Sequence, residues 1–335
     1  MSALTHCSVF MLAAALCGSA CAETAMANTA SAPKAKASAT PAVAPVAVPT
    51  AAPTAIPTYD VYLADLQDGN ISNVKKINAS VGYHNQPTFN LTGTQLYFTS
   101  QQGRDGKGES GEKSQMDIAR YDIKSGTLDL FQSTALSEYS PTVLPADQAL
   151  SAVVVEADGK QRLWRLPVTG EPAVMLPEVV GVGYHAWGPA DDVLLFILGK
   201  DEADHQIAYR NSNGDLTTLA RNIGRGLAWR PGTNEGYFSE RKGDRLALKM
   251  YETQNMQQSA QLVLLPETAQ DFRWWNRDLL IASAGQKLHS WQPGAKRWQR
   301  WLDLSDHCDG SVSRFSFSID QKQLAFVCQP AGAKP

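Results

Sequence analysis

An all-β fold, a propeller of six four-stranded blades, is predicted by three observations: a strand-turn-strand segment that recurs six times, the interval between copies, and half-repeats at the two ends of the repeating region. In the first copy, Asn85 to Ser100, Pro87 and Phe89 precede a Thr92-Gly93 turn, and Leu96, Tyr97 and Phe98 form an apolar β-rich run after it. Degraded copies run from Ser140 to Val155, His185 to Phe196, Leu227 to Phe238, Phe272 to Ile281 and Phe315 to Phe326. Aligning Phe89, Val143, Trp187, Trp229, Trp275 and Phe317 gives intervals of 54, 44, 42, 46 and 42 residues. That period suits a four-stranded blade of ~40 to 50 residues. Helix-pair solenoids share it, but these segments are rich in Val, Leu, Phe, Trp and Tyr and are broken by Gly, Pro, Asn and Asp, which is strand chemistry.

In chain order, an apolar run from Val9 to Leu16 and an Ala20-Cys21-Ala22 site outline a secretory signal peptide over 1–22, with cleavage expected after Ala22. No Lys or Arg precedes the run, and no Leu stands where lipid attachment at Cys21 would want it, so soluble export is expected over a lipid anchor. Residues 23–57 are dominated by Ala, Pro, Thr, Ser and Val, with prolines at 41, 45, 49, 53 and 57. Such a composition buries too little surface to offset ordering entropy and reads as an extended linker. Residues 58–330 form the propeller, followed by a short tail over 331–335.

The propeller region opens on a lone hairpin, Asp60 to Asp65, a turn at Asp68-Gly69, and Val74 to Ile77. Each later repeat continues into a second hairpin. Asp117 to Asp122 and Leu128 to Phe131 flank Ser125-Gly126; Arg162 to Leu166 and Ala173 to Leu176 flank a turn ending in Gly170. Ile207 to Tyr209 and Leu216 to Leu219 flank Asn213-Gly214; Lys287 to Trp291 and Trp298 to Leu302 flank Pro293-Gly294. Glycine at these turns supplies the positive φ that tight hairpins require. The last repeat, Ser313 to Cys328, has a first hairpin only. Pairing it with the lone opening hairpin closes the ring and removes an open sheet edge. With Cys7, Cys17 and Cys21 in the segment to be removed, Cys308 and Cys328 remain as a disulfide pair suited to an oxidising compartment.

The pattern Pro-x-Phe-x-x-x-Gly-x-x-Leu-x-Phe-x-Ser over 87–100, followed by Asp117-Ile-x-x-Tyr-Asp122, resembles the WD40-like (PD40) repeat of the TolB-like propeller family over about residues 59–328. The resemblance implies a periplasmic or secreted propeller that binds a protein or peptide partner of the cell envelope and catalyses nothing. The α/β domain that precedes the propeller in TolB has no counterpart here, since the Ala/Pro stretch occupies its place, so only a binding propeller is carried over.

A formal net charge of −3 gives no reason to expect a nucleic-acid or anionic-membrane surface. The 106–114 stretch, Gly-Lys-Gly-Glu-Ser-Gly-Glu-Lys-Ser, fails as a phosphate loop because Glu112 separates Gly111 from Lys113; residues 101–116 are read as a polar loop. No Gly-x-Ser-x-Gly elbow occurs. The expected binding residues enter the innermost strands: His84, Glu138, Tyr139, His185, Arg225, Asp271 and Arg314. A metal-dependent lyase or lactonase using His84 and His185 is the alternative, because two imidazoles and a carboxylate can hold a metal. The two arginines would load such a site with positive charge, so no metal, no cofactor and no catalysis are expected, in a monomer. The tryptophans at 274, 275, 291, 298 and 301 are expected to pack between blades.

Overall fold

The computed structural model describes residues 58–101, 115–132, 134–144 and 149–331. The expected leader, linker and tail, and positions 102–114 of the polar loop, lie outside the described residues. The chain builds six antiparallel sheets, each a blade. First come β1 (Asp60–Gln67) and β2 (Asn70–Lys76). Next is a blade of β3 (His84–Phe89), β4 (Gln95–Gln101), β5 (Met116–Asp122) and β6 (Leu128–Gln132). A second follows as β7 (Ser137–Val143), β8 (Leu150–Val155), β9 (Gln161–Leu166) and β10 (Ala173–Val174). The third is β11 (Val182–Trp187), β12 (Val193–Ile197), β13 (Gln206–Arg210) and β14 (Leu216–Arg221). In the fourth, β15 (Ile223–Trp229), β16 (Glu235–Lys242) and β17 (Arg245–Glu252) are in place, and two short strands, β18 (Gln257–Gln258) and β19 (Val263–Leu264), share the outer edge of β17. The fifth is β20 (Asp271–Asn276), β21 (Leu279–Ala284), β22 (Lys287–Trp291) and β23 (Gln299–Asp303). Finally β24 (Ser311–Phe317) and β25 (Gln323–Gln329) join β1 and β2 in a sheet of order β2-β1-β25-β24.

The sixth blade is therefore shared between the two ends of the propeller region, as the half-repeats predict. Val61 pairs with Val327 and Leu63 with Ala325 along β1 and β25. All four are buried, so the seam is both a backbone ladder and an apolar contact. Cys308, just before β24, is bonded to Cys328 in β25 across a Cα–Cα distance of 5.4 Å, which ties the entry of the innermost strand to its neighbour.

Six apolar clusters lie at the six junctions between adjacent blades. Val61, Phe89, Phe98 and Val327 join the shared blade to the first. Tyr97, Ile118, Val143 and Leu150 hold the next junction, and Val153, Leu163, Val182 and Leu195 the one after. Phe196, Tyr209, Phe238 and Tyr251 follow, then Tyr237, Phe272, Trp274 and Trp291, then Phe315, Phe326, Leu288 and Ile281 back to the shared blade. Residues on the two faces of one strand thus serve two different junctions, which is why β12 is apolar throughout and β8 is apolar except for the buried Ser151, rather than alternating.

Every innermost strand is irregular where it pairs with its neighbour. The register shifts between Asn85 and Thr88, Tyr139 and Thr142, Val182 and Tyr184, Ile223 and Leu227, Trp274 and Asn276, and Val312 and Arg314. Such bulges sharpen the local twist and re-aim side chains. At Gln86 and Ser140 the bulge forces φ to 56° and 55°, and each is followed by a proline, Pro87 or Pro141. Proline is tolerated there because the inner edge of a blade has no strand to receive its missing N–H.

Candidate functional site

The innermost strands β3, β7, β11, β15, β20 and β24 touch one another in ring order and enclose a central channel. One cavity of about 300 Å³ draws lining residues from all six strands. Its mouth carries Trp187, Trp229, Trp274 and Pro231; Pro87 and Pro141 also line it. Farther in stand Tyr184, Arg225, Arg273 and Arg314. A second cavity of about 200 Å³, lined by Tyr59, Tyr83, Asn85 and Gln329, shares Gln86, Tyr184, Arg225 and Arg314 with the first. Those four shared residues form the waist of the channel.

Two of the three indoles at the mouth are fixed by their N–H groups, while the Trp274 N–H is buried without a partner. Trp229 Nε1 donates to the Ala186 carbonyl at 2.8 Å, and Trp187 Nε1 donates to Ser151 Oγ at 2.8 Å. Gly188 is required beside them, since a Cβ there would stand 2.4 Å from the Trp229 ring. At the waist, Arg314 Nη1 donates to Asp271 Oδ1 at 3.1 Å, and Arg273 Nη1 donates to the same oxygen at 3.0 Å. Arg314 also stacks on the Tyr184 ring, 4.4 Å from its centroid. Arg225 Nη2 donates to the Ser313 carbonyl at 3.2 Å.

These contacts set the electrostatics. Burial and then the neighbouring Arg314 charge push the Arg225 guanidinium down to about 10, still protonated at neutral pH. Burial would raise the Tyr184 phenol, but the Arg314 and Arg225 charges outweigh it and hold it below the ordinary tyrosine value. Arg314 behaves oppositely: burial would lower it, but the Asp271 carboxylate together with the Tyr184 and Tyr83 phenols outweighs burial and raises it.

Of the seven residues singled out in the sequence, His185, Arg225 and Arg314 line the first cavity. Asp271 is fully buried behind it as the shared acceptor of two guanidiniums. His84 sits inside its own blade, with Nδ1 3.0 Å from Ser100 Oγ and Nε2 3.0 Å from the Ser80 carbonyl. Tyr139 packs into the junction between the second and third blades. Glu138 is wholly buried, accepts from Thr134 Oγ1 and lies beside Asp117; burial, with Asp117 adding to it, pushes its carboxyl up to about 8. Arg273, Tyr184, Gln86 and the three mouth tryptophans were not among the seven. Strand alternation does mark Arg273, two residues beyond Asp271 on the same strand, and Trp229, two pairs beyond Arg225.

A metal does not fit the two histidines. His185 Nε2 is 2.7 Å from Ser151 Oγ and its Nδ1 is buried without a partner, while both nitrogens of His84 are engaged within its blade. Among the described residues no three His, Cys, Asp or Glu side chains come together. Burial drives His185 down to about 3, so it is a neutral ring at any physiological pH. Of the tryptophans expected between blades, Trp275 and Trp301 pack with Phe317 (centroids 5.3 and 4.8 Å from Trp275), and Trp291 packs with Trp298 at 6.1 Å. Trp274 packs in the junction between the fourth and fifth blades, edge-on against Tyr237, and also lines the channel mouth.

No protein-family model matches the chain, and no curated protein matches it in sequence. Solved structures do match in fold. A structure from Agrobacterium tumefaciens assigned to TolB superposes with a TM-score of 0.60 at 11% identity, over 82% of this chain and 98% of that one. A gluconolactonase from Xanthomonas campestris superposes with a TM-score of 0.58 at 12% identity, over 82% and 97%. The fold is accordingly that of a six-bladed propeller, shared by a protein assigned to TolB and by a gluconolactonase.

Proposed function

We propose that this chain is an exported, non-catalytic propeller that binds a peptide segment or protein loop in the mouth of its central channel. The observation that carries the reading is the arrangement of that mouth: a collar of Trp187, Trp229, Trp274 and three prolines above a floor of arginines. Aromatic rings and arginine are the side chains most enriched where binding energy concentrates, and a concave, largely preformed site limits the entropy cost of capture. Export agrees with the Cys308–Cys328 disulfide, and no helix among the described residues is long and apolar enough to cross a membrane. The lactonase reading would need a cation held in the same cavity, where Arg225, Arg273 and Arg314 bring positive charge and His185 is the one imidazole among the described lining residues.

The test uses the full chain purified without chelators. A synthetic pool of random hexapeptides is incubated with it, and the retained fraction is identified by mass spectrometry, with tryptophan fluorescence reporting occupancy of the mouth. Retained peptides that shift the fluorescence are expected, alongside no hydrolysis of gluconolactone with or without added Ca²⁺, Mg²⁺ or Zn²⁺. Cation-dependent lactone hydrolysis, or a pool that passes through unbound, would overturn the proposal.

A further inference from the structure

The waist of the channel carries an imbalance of charge that its own hydrogen bonds leave in place. Among the described residues, the lining of the two cavities that meet there includes Arg225, Arg273 and Arg314 and not one Asp or Glu. A third cavity, of about 330 Å³ and again bordered by Arg225 and Gln329, adds Thr268 and Gln270 and likewise no acid. Asp271, the carboxylate that meets two of these arginines, is fully buried and already shared between Arg273 and Arg314 through one oxygen, and Glu202 borders a separate cavity that Arg225 and Tyr184 also line.

The donors left over are specific. Arg225 spends Nη2 on a neutral acceptor, the Ser313 carbonyl, and its Nε is buried with no partner. Arg314 gives Nη1 to Asp271, while its Nη2 is buried with no partner. Buried guanidinium N–H groups without acceptors are rare because the desolvation they suffer goes uncompensated. Two of them on neighbouring side chains, both lining the same narrow space, make a place where an anion repairs what the fold leaves unsatisfied. A forked guanidinium is matched by a planar carboxylate, which it can hold through two parallel hydrogen bonds.

We propose that the waist of the channel, built by Arg225 and Arg314 against Tyr184, is a carboxylate-binding subsite that takes the C-terminal or acidic side-chain carboxylate of a bound peptide. This rests on the peptide-binding reading above. A peptide is favoured over a small inorganic anion by what lies outside the waist. The collar of Trp187, Trp229 and Trp274 offers apolar area that only a ligand with an apolar body attached to its anion would use.

The experiment takes peptides retained from the hexapeptide pool and resynthesises each with free carboxylates, as the C-terminal amide, and with Asp and Glu replaced by Asn and Gln. Affinities are measured by fluorescence titration on the unmodified full chain, then on Arg225→Gln after its melting curve has shown it folded. One of the two neutralised forms is expected to bind at least about tenfold more weakly than the acid, the scale of a lost charge-assisted hydrogen bond. Arg225→Gln is expected to bind the acid and neutral forms of a peptide with the same affinity, removing that preference. Equal binding of acid and neutral forms to the unmodified protein would overturn the subsite and leave the peptide-binding reading standing. Failure of every peptide would overturn both. Displacement of the acid peptide by inorganic phosphate at equal concentration would make the waist a general anion site and overturn the carboxylate assignment.

Discussion

Replacing Glu138 by Gln should make the protein's stability less dependent on pH, and the size of the effect follows from burial. Glu138 is fully shielded from solvent, accepts one hydrogen bond from Thr134, leaves Oε2 without a donor, and lies beside the buried Asp117. Two buried carboxyls in contact cannot both ionise cheaply, so the folded protein retains a proton on Glu138 up to about pH 8, whereas the unfolded chain releases it near 4.5. A raised carboxyl of this kind costs nothing below the unfolded value. Stability is then lost as pH climbs from 4.5 towards 8, because the unfolded state binds fewer protons than the folded one. Each pH unit inside that window removes about 1.4 kcal/mol, so roughly 2 to 3 kcal/mol disappears between pH 5 and pH 7. Glutamine cannot ionise; its carbonyl can accept from Thr134, and its amide can donate to Asp117 in place of the retained proton. Urea-unfolding curves at pH 5, 6, 7 and 8 should therefore converge or cross for the two proteins. The variant should gain on the wild type by that amount over the two units. Parallel stability profiles for the two proteins would refute the reasoning.

Reducing the Cys308–Cys328 bond, or replacing both cysteines by serine, should cost about 3 kcal/mol, the loop-closure value for its separation of 20 residues, read as a lower melting temperature in dithiothreitol. Gly226→Ala places a Cβ 2.5 Å from the Phe272 ring in the core, and a loss of about 1 to 3 kcal/mol by denaturant titration is expected from overpacking. Asp271→Asn keeps an acceptor oxygen but removes the negative charge shared by Arg314 and Arg273 and should cost about 3 to 5 kcal/mol, whereas the double change Asp271→Asn with Arg314→Met should recover part of it. A thermal-melt series of the two variants that came out additive would show that the pair is not coupled.

The architecture was legible because a propeller repeats its own instructions. Six imperfect copies of one hairpin, with turns marked by Gly93, Gly126, Gly214 and Gly294, gave blade number and strand count, and the lone halves at either end gave the closure. The channel was less so. Innermost strands do supply the site, and three of the seven chosen residues line it, but choosing the first residues of each strand assumed uniform twist. Bulges at different depths in the six inner strands rotate equivalent positions by different amounts. They turn Glu138 inward against Asp117 and bring Trp274, rather than the aligned Trp275, to the mouth. A bulge leaves a faint mark in sequence, here the proline that follows Gln86 and Ser140, and four of the six inner strands carry no such mark.

The blade shared between the two ends of the propeller also sets an order of events on a chain made from one direction. Hairpin β1–β2 is synthesised first and has no stable partner until β25, some 260 residues later, has emerged. Up to that moment Val61 and Leu63 lack their strand partners Val327 and Ala325, and an isolated two-stranded hairpin is marginal in water. The five complete blades can assemble one after another, but the last junction and the disulfide that guards it are available only at the finish. A nascent chain of this design stays open for nearly its whole length, then commits in a single late step, and any truncation that removes β25 leaves a ring that cannot shut.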